Sequence, residues 1–151
     1  MKDLADYKIL IVDDVKIMRK TLRAILTDRC GAAPGNIIEA CDGQDAVFMY
    51  EQTRPDVVFL DIAMPDMDGR EVIEKLKRVD PEPVIIMCSG SGDKMSVIEC
   101  IRAGAKDYVR KPVNWERVMD ALVKIAGDVL VKDEAKSARP KSCGRAEGGA
   151  G

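Results

Sequence analysis

Ile9-Leu10-Ile11-Val12-Asp13-Asp14 decides how the chain is read. Four successive aliphatic residues leave no polar face, so the segment fits a strand buried on both sides and not a half-solvated, alternating one. Two adjacent acids end it. The pattern returns at Val57-Val58-Phe59-Leu60, which stops at Asp61, and at Val84-Ile85-Ile86-Met87-Cys88, which stops at Ser89-Gly90. Weaker strand candidates occupy residues 36–40 and 106–109.

Between these runs the apolar period changes from continuous to helical. Residues 15–26 place Val15, Met18, Leu22, Ile25 and Leu26 on one helical face. Further helices are predicted at 44–52, 69–79, with Val72, Ile73 and Leu76 apolar, and 94–103, where Gly104 fits the position just past the helix end. Asn114 caps a last helix over 115–129, with Val118, Leu122, Ile125 and Val129 apolar. Five strand-then-helix units follow one another. Helical crossovers imply parallel pairing with right-handed connections, hence one three-layer α/β domain. Periodicity alone leaves the strand order open.

From Lys132 the composition turns small and polar. Residues 132–151 carry five basic and three acidic groups, so with a whole-chain charge of -2 the preceding body nets -4. The segment has too little apolar surface to fold independently and is expected to be a disordered tail after a domain at 1–131. Two readings of the chain's extent follow: a stand-alone domain working through protein contacts, or a fragment of a longer regulator with a DNA-binding or enzymatic output.

The 151 residues contain no histidine. Ser-His-Asp and Cys-His catalysis, His-ligated zinc and His-ligated haem are excluded. The near-balanced charge and the scarcity of aromatics argue against direct nucleic-acid binding. Five cysteines, an odd number without C-x-x-C spacing, read as reduced. Neither a signal-peptide core nor an apolar run of about 18 residues is present. A cytoplasmic location with no membrane contact is expected.

The polar residues that end the strands carry the chemistry. Asp13, Asp14, Asp61, Ser89 and Lys111 all fall at the carboxyl edge of a parallel sheet, where such folds bind ligands. An acid at a strand end is more often a turn or cap residue than a ligand, so it is the convergence of five that matters. Three crowded carboxylates repel and call for a cation, and hard oxygen donors without thiolate or imidazole suit Mg²⁺. A divalent ion and the Lys111 ammonium together make a phosphoryl site, with Asp61 as nucleophile and Ser89 as a hydrogen-bond donor. Lys111-Pro112 is a candidate cis peptide bond.

Asp13-Asp14, the Asp61-x-x-x-Pro65-x-x-Asp68-Gly69 loop, Ser89-Gly90 and Lys111-Pro112 together resemble the receiver domain of two-component response regulators, chemotaxis-regulator-like in type. The resemblance covers residues 7–130. It implies a flavodoxin-like (β/α)5 fold with strand order 2-1-3-4-5. It implies Mg²⁺-dependent transfer of a phosphoryl group onto Asp61 from the phosphohistidine of a histidine kinase or histidine phosphotransfer protein. Asp13, Asp14, Asp61 and the Ala63 backbone carbonyl match the metal ligands, Ser89 and Tyr108 the switch pair, and Lys111 the phosphoryl-binding lysine. A receiver catalyses its own phosphorylation and dephosphorylation but acts chiefly as a switch. The face of the fourth helix, fifth strand and fifth helix, with Met95, Val97, Ile98, Ile101, Arg102, Tyr108 and Arg110, matches the surface that meets a downstream target or a second receiver. Gly90 stands where alanine is frequent, and Ala63 and Ser91 match the variable positions flanking the site.

Competing readings each lack a required residue. An aspartyl phosphatase of the haloacid-dehalogenase type needs a second acid at position 63, which is Ala63. A P-loop or Rossmann nucleotide binder needs a glycine-rich first turn where Asp13-Asp14-Val15-Lys16 stands. A flavodoxin-like electron carrier needs a phosphate-cradling loop at the same place. An interaction module independent of phosphorylation remains as the non-catalytic alternative.

Overall fold

Strand β1 (Ile9–Val12) is flanked on both sides, by β2 (Ile37–Ala40) and β3 (Val57–Asp61). Its four residues are at most 1% exposed, which is why no polar face was needed. The computed structural model describes residues 3–90 and 94–137, with side chains described as far as Ala126 in the last helix. The sheet is five-stranded and parallel, in the order β2-β1-β3-β4-β5, with β4 at Ile85–Ser89 and β5 at Asp107–Arg110. Strands β1 and β3 align Ile9 with Val57 and Val12 with Leu60. Strand β3 sets Asp61 beside Cys88 of β4, and β4 sets Ser89 beside Arg110 of β5. The carboxyl ends therefore share one edge.

Helices cover both faces. On one side α1 (Lys16–Asp28) and α5 (Trp115–Ser137) enclose a layer with Ile9, Ile11, Phe59, Ile86, Val109, Leu22, Leu26, Val118 and Ile125. On the other, α2 (Gly43–Thr53), α3 (Gly69–Val79) and α4 (Lys94–Ala103) enclose Leu10, Val12, Val58, Leu60, Ile85, Met87, Tyr50, Ile73 and Leu76. Alternate residues of each inner strand thus feed opposite layers. Gly104 has a φ of +134°, a backbone conformation that favours glycine, and ends α4 as expected.

Two local expectations change, at Val15 and at the end of α5. Val15 does not join the core face of α1. It is the extended residue before the helix, with φ -100° and ψ 115°, and is 44% exposed, so its side chain leaves the helical period. Strand β5 is an edge strand, so it alternates: Asp107 and Val109 are buried while Tyr108 and Arg110 are exposed. Helix α5 does not stop near Val129 but runs through Ser137, past the change in composition at Lys132. Its last seven residues, Val131 to Ser137, contain neither Gly nor Pro, and Pro140 follows three residues on. The Val129 side chain, Ser91 and residues 138–151, Cys143 among them, lie outside what is described.

The other four cysteines are unpaired, with Cys30, Cys88 and Cys100 buried and Cys41 exposed. Among the described residues no helix is long and apolar enough to cross a membrane.

Candidate functional site

Each site residue arrives at the sheet edge for a local reason. Asp13 follows β1 and is only 5% exposed. Its amide donates to the Ala40 carbonyl (3.2 Å), its Oδ1 accepts the Val15 amide (2.9 Å), and its own carbonyl accepts Arg19 Nη1 (2.7 Å). Asp14 next to it is exposed. Asp61 is the last residue of β3, 4% exposed, and its Oδ1 accepts the Ala63 amide at 3.3 Å. Ser89 ends β4, is 3% exposed, and its carbonyl accepts the Lys111 amide at 2.6 Å.

Lys111 closes the arrangement. Its ammonium lies 3.1 Å from Asp61 Oδ1 and 3.2 Å from Asp13 Oδ2, joining residues 50 and 98 positions away. The Lys111–Pro112 bond is cis, as the sequence suggested. Asp13, Asp14 and Asp61 each bring a carboxylate oxygen within 4.8 Å of the others. The donor set is oxygen only, and two of its three acids are buried. That fits a hard divalent cation such as Mg²⁺.

The electrostatics agree. Burial first, and the neighbouring Asp13 second, push the Asp61 carboxyl above its ordinary range, against the pull of Lys111. Burial works to lower the Lys111 ammonium, but the two acids outweigh it and raise it. The carboxylates are short of positive charge, which a bound cation supplies. Burial also pushes the Cys88 thiol up to about 12, so this neighbour of Asp61 stays protonated and adds no negative charge to the cluster.

Tyr108 lies outside this cluster. The residue is 38% exposed on β5, and the Arg117 guanidinium sits over its ring at 5.6 Å while donating to the Tyr108 carbonyl at 2.6 Å. Two contributors went unread in the sequence. Arg19 holds the Asp13 carbonyl and pairs with Glu39 at 3.0 Å, and Asp66 reaches α2 from the loop after Asp61. Neither has a periodic signal, because each acts across elements. Their only trace is an arginine and an acid close to the motif residues.

Residues 9–123 match the family described as the response regulator receiver domain. The chain belongs to that family. A chemotaxis protein CheY of Thermotoga maritima is 42% identical over 119 residues, covering 79% of this chain and 97% of that protein. The CheY of Bacillus subtilis is 41% identical over 118 residues, covering 78% and 96%. Among solved structures, NtrX of Brucella abortus superposes with a TM-score of 0.78 at 29% identity, covering 87% of this chain and 29% of that longer one. The receiver expectations for fold and strand order hold. The receiver's function is Mg²⁺-dependent aspartyl phosphorylation in signalling, and its three-acid cluster fits the divalent-metal site. As a receiver it partners with histidine kinases or histidine phosphotransfer proteins.

Proposed function

We propose that Asp61 is the phosphoacceptor and that Lys111 and Ser89 bind the transferred group. The observation that carries this is the Lys111 ammonium bridging Asp61 and Asp13 beside Asp14. Asp13, Asp14, Asp61 and the Ala63 carbonyl would hold Mg²⁺, whose charge offsets that of the phosphoryl oxygens. A carboxylate oxygen of Asp61 attacks phosphorus, the bond from phosphorus to the donor's imidazole nitrogen breaks, and the imidazole leaves with the electron pair. Lys111, already within 3.1 Å of Asp61, is positioned to exchange a carboxylate contact for a phosphoryl oxygen. Ser89, one residue beyond the Cys88 that pairs with Asp61, supplies a hydroxyl from the adjacent strand end.

Signalling would run through Ser89 and Tyr108. The outward Tyr108 ring supports an unphosphorylated resting state, and movement of Ser89 toward the acyl phosphate opens room for the ring to turn in. The face changed by that turn includes exposed Met95, Ile98 and Ile101 of α4. These support a docking or dimerisation surface formed with β5 and α5. We also place the receiver in the cytoplasm, a reducing compartment, on the unpaired state of its four described cysteines.

Incubation with acetyl phosphate or a cognate kinase should add one acid-stable, base-labile phosphoryl group, dependent on Mg²⁺. Asp61→Asn should abolish it, and unchanged labelling of that variant would remove the assignment. Beryllofluoride should shift the resonances of Ser89 and Tyr108 together. A response confined to residues 61–68 would leave phosphorylation standing and remove the switch.

A further inference from the structure

We propose that Asp66 and the amino end of α2 form a strut that holds the loop carrying Ala63 at a fixed distance from Asp13, making Asp66 a positioning residue for Mg²⁺. The inference rests on the reading of Ala63 and the three acids as metal ligands.

The loop from Ile62 to Asp68 is fastened at its ends. The Ile62 amide donates to the Cys88 carbonyl (3.1 Å), and the Ile62 carbonyl accepts from Gly69 (3.3 Å). Asp68 caps α3 by accepting the Glu71 amide at 2.9 Å. Between these anchors the chain turns outward, and Ala63, Pro65 and Asp66 are exposed. There the Asp66 carboxylate straddles the first turn of α2. Its Oδ1 accepts the Gly43 amide at 3.1 Å and its Oδ2 the Gln44 amide at 3.2 Å. Asp42 accepts the third amide of that turn, from Asp45, at 2.7 Å. Helix starts leave such donors unsatisfied and carry partial positive charge, so a carboxylate bound through both oxygens is a favourable fastening.

Steric fit points the same way. A Cβ at Gly43 would lie 2.8 Å from Met67 Cβ and 3.0 Å from Val72 Cγ2. Only glycine lets the loop approach this closely.

The same corner also touches the other half of the site. The Ala40 carbonyl, three residues before Gly43, accepts the Asp13 amide at 3.2 Å. The turn from Ala40 to Gln44 thus grips the acidic pair at one end and the loop carrying Ala63 at the other. Asp13 and Asp61 are already spaced by the pairing of β1 with β3, so what this span sets is the distance from Asp13 to the loop that carries Ala63. Support of this kind behind metal ligands commonly governs affinity without touching the ion.

The test titrates unphosphorylated protein with MgCl₂, followed by amide NMR, at low and at high KCl. Wild type, Asp14→Ala, Asp66→Asn and Asp66→Ala are compared, with hydrogen exchange at Gly43 and Gln44 as a second readout. Asp66→Ala loses both bonds, whereas Asp66→Asn keeps one acceptor oxygen but loses the charge. We expect Mg²⁺ affinity to fall about five- to tenfold in Asp66→Ala and less in Asp66→Asn, at both salt concentrations, with faster exchange at Gly43 and Gln44. Equal losses in the two variants that vanish in high salt would assign the effect to charge alone and overturn the strut. So would faster exchange with unchanged affinity. If Asp66→Ala does not fold, the proposal stands or falls on whether Asp66→Asn weakens Mg²⁺ at high salt. Wild type that binds no Mg²⁺, or binds it no better than Asp14→Ala, would fail the metal-site reading itself. Normal behaviour of those two with unchanged Asp66 variants would fail only the strut.

Discussion

Asp61 is held in a state that costs the fold something. A buried carboxylate beside Asp13 is disfavoured as an anion, and Lys111 only partly compensates. Replacing it by a neutral isostere removes the repulsion and leaves Lys111 paired with Asp13. Without metal, Asp61→Asn should therefore melt higher than wild type by a few degrees, on the order of what 1 kcal/mol gives a domain of this size. Mg²⁺ should close the gap, since at ten times its Kd an ion bound only to the folded state adds about 1.4 kcal/mol. A lower melting temperature for Asp61→Asn in EDTA would show that its charge stabilises the fold. Asp13, Asp61 and Ser89 were legible in the sequence because a polar residue ending a fully apolar strand is conspicuous, whereas Lys111, after the mixed edge strand β5, was legible only in company with them. Arg19 was not, because its bond to the Asp13 carbonyl depends on how α1 lies against β1.

Among the elements, the junction of β5 and α5 shows what periodicity can and cannot deliver. The three inner strands were legible as continuous apolar runs, because burial on both faces admits nothing else. The edge strands were weaker signals, because their outer positions are free to be polar. Strand order was out of reach of periodicity and came from the family resemblance. What fixes β5 against α5 is a cross-element pair that no spacing reveals. Asp107, 6% exposed, receives Arg117 Nη2 at 2.9 Å, and Lys124 lies 3.6 Å away. Burial works to raise the Asp107 carboxyl, but the Arg117 bond, the Tyr108 amide and the two cations outweigh it and hold it low. Arg117→Ala leaves the buried acid with only the Tyr108 amide at 2.8 Å and the more distant Lys124 as partners, and leaves the Tyr108 carbonyl without its guanidinium. The variant should lose about 2 kcal/mol, below the 3–5 typical of a fully buried broken pair because Lys124 remains. Urea denaturation should show a lower midpoint at unchanged slope. An unchanged midpoint would mean that Lys124 and water satisfy Asp107 fully.

Across the whole molecule these shifted groups pull in opposite directions with pH. Asp61 has a raised folded-state pKa, so between the ordinary aspartate value of about 3.9 and its own higher one the native state binds more protons. Its contribution to stability therefore grows as pH falls from neutrality. Asp107 and Glu39 have lowered values. For Glu39, burial opposes the shift and the bonds and charges of Arg23 and Arg19 carry it. Their stabilisation is complete above the ordinary carboxylate range and is lost as pH falls through their depressed values. Lys111, raised, contributes fully below about 10.4 and loses that contribution as pH climbs beyond it. Metal-free wild type should thus gain stability as pH falls from neutrality through the raised Asp61 value toward the ordinary aspartate value of about 3.9, then lose it below. Asp61→Asn should remove the gain and keep the acid loss, giving a flat profile from pH 7 to 5. Urea midpoints measured in EDTA at half-unit pH steps separate the two contributions. A wild-type profile that falls monotonically from pH 7 would mean that Lys111 neutralises Asp61 completely, so that the cluster's unbalanced charge is not what draws the cation in.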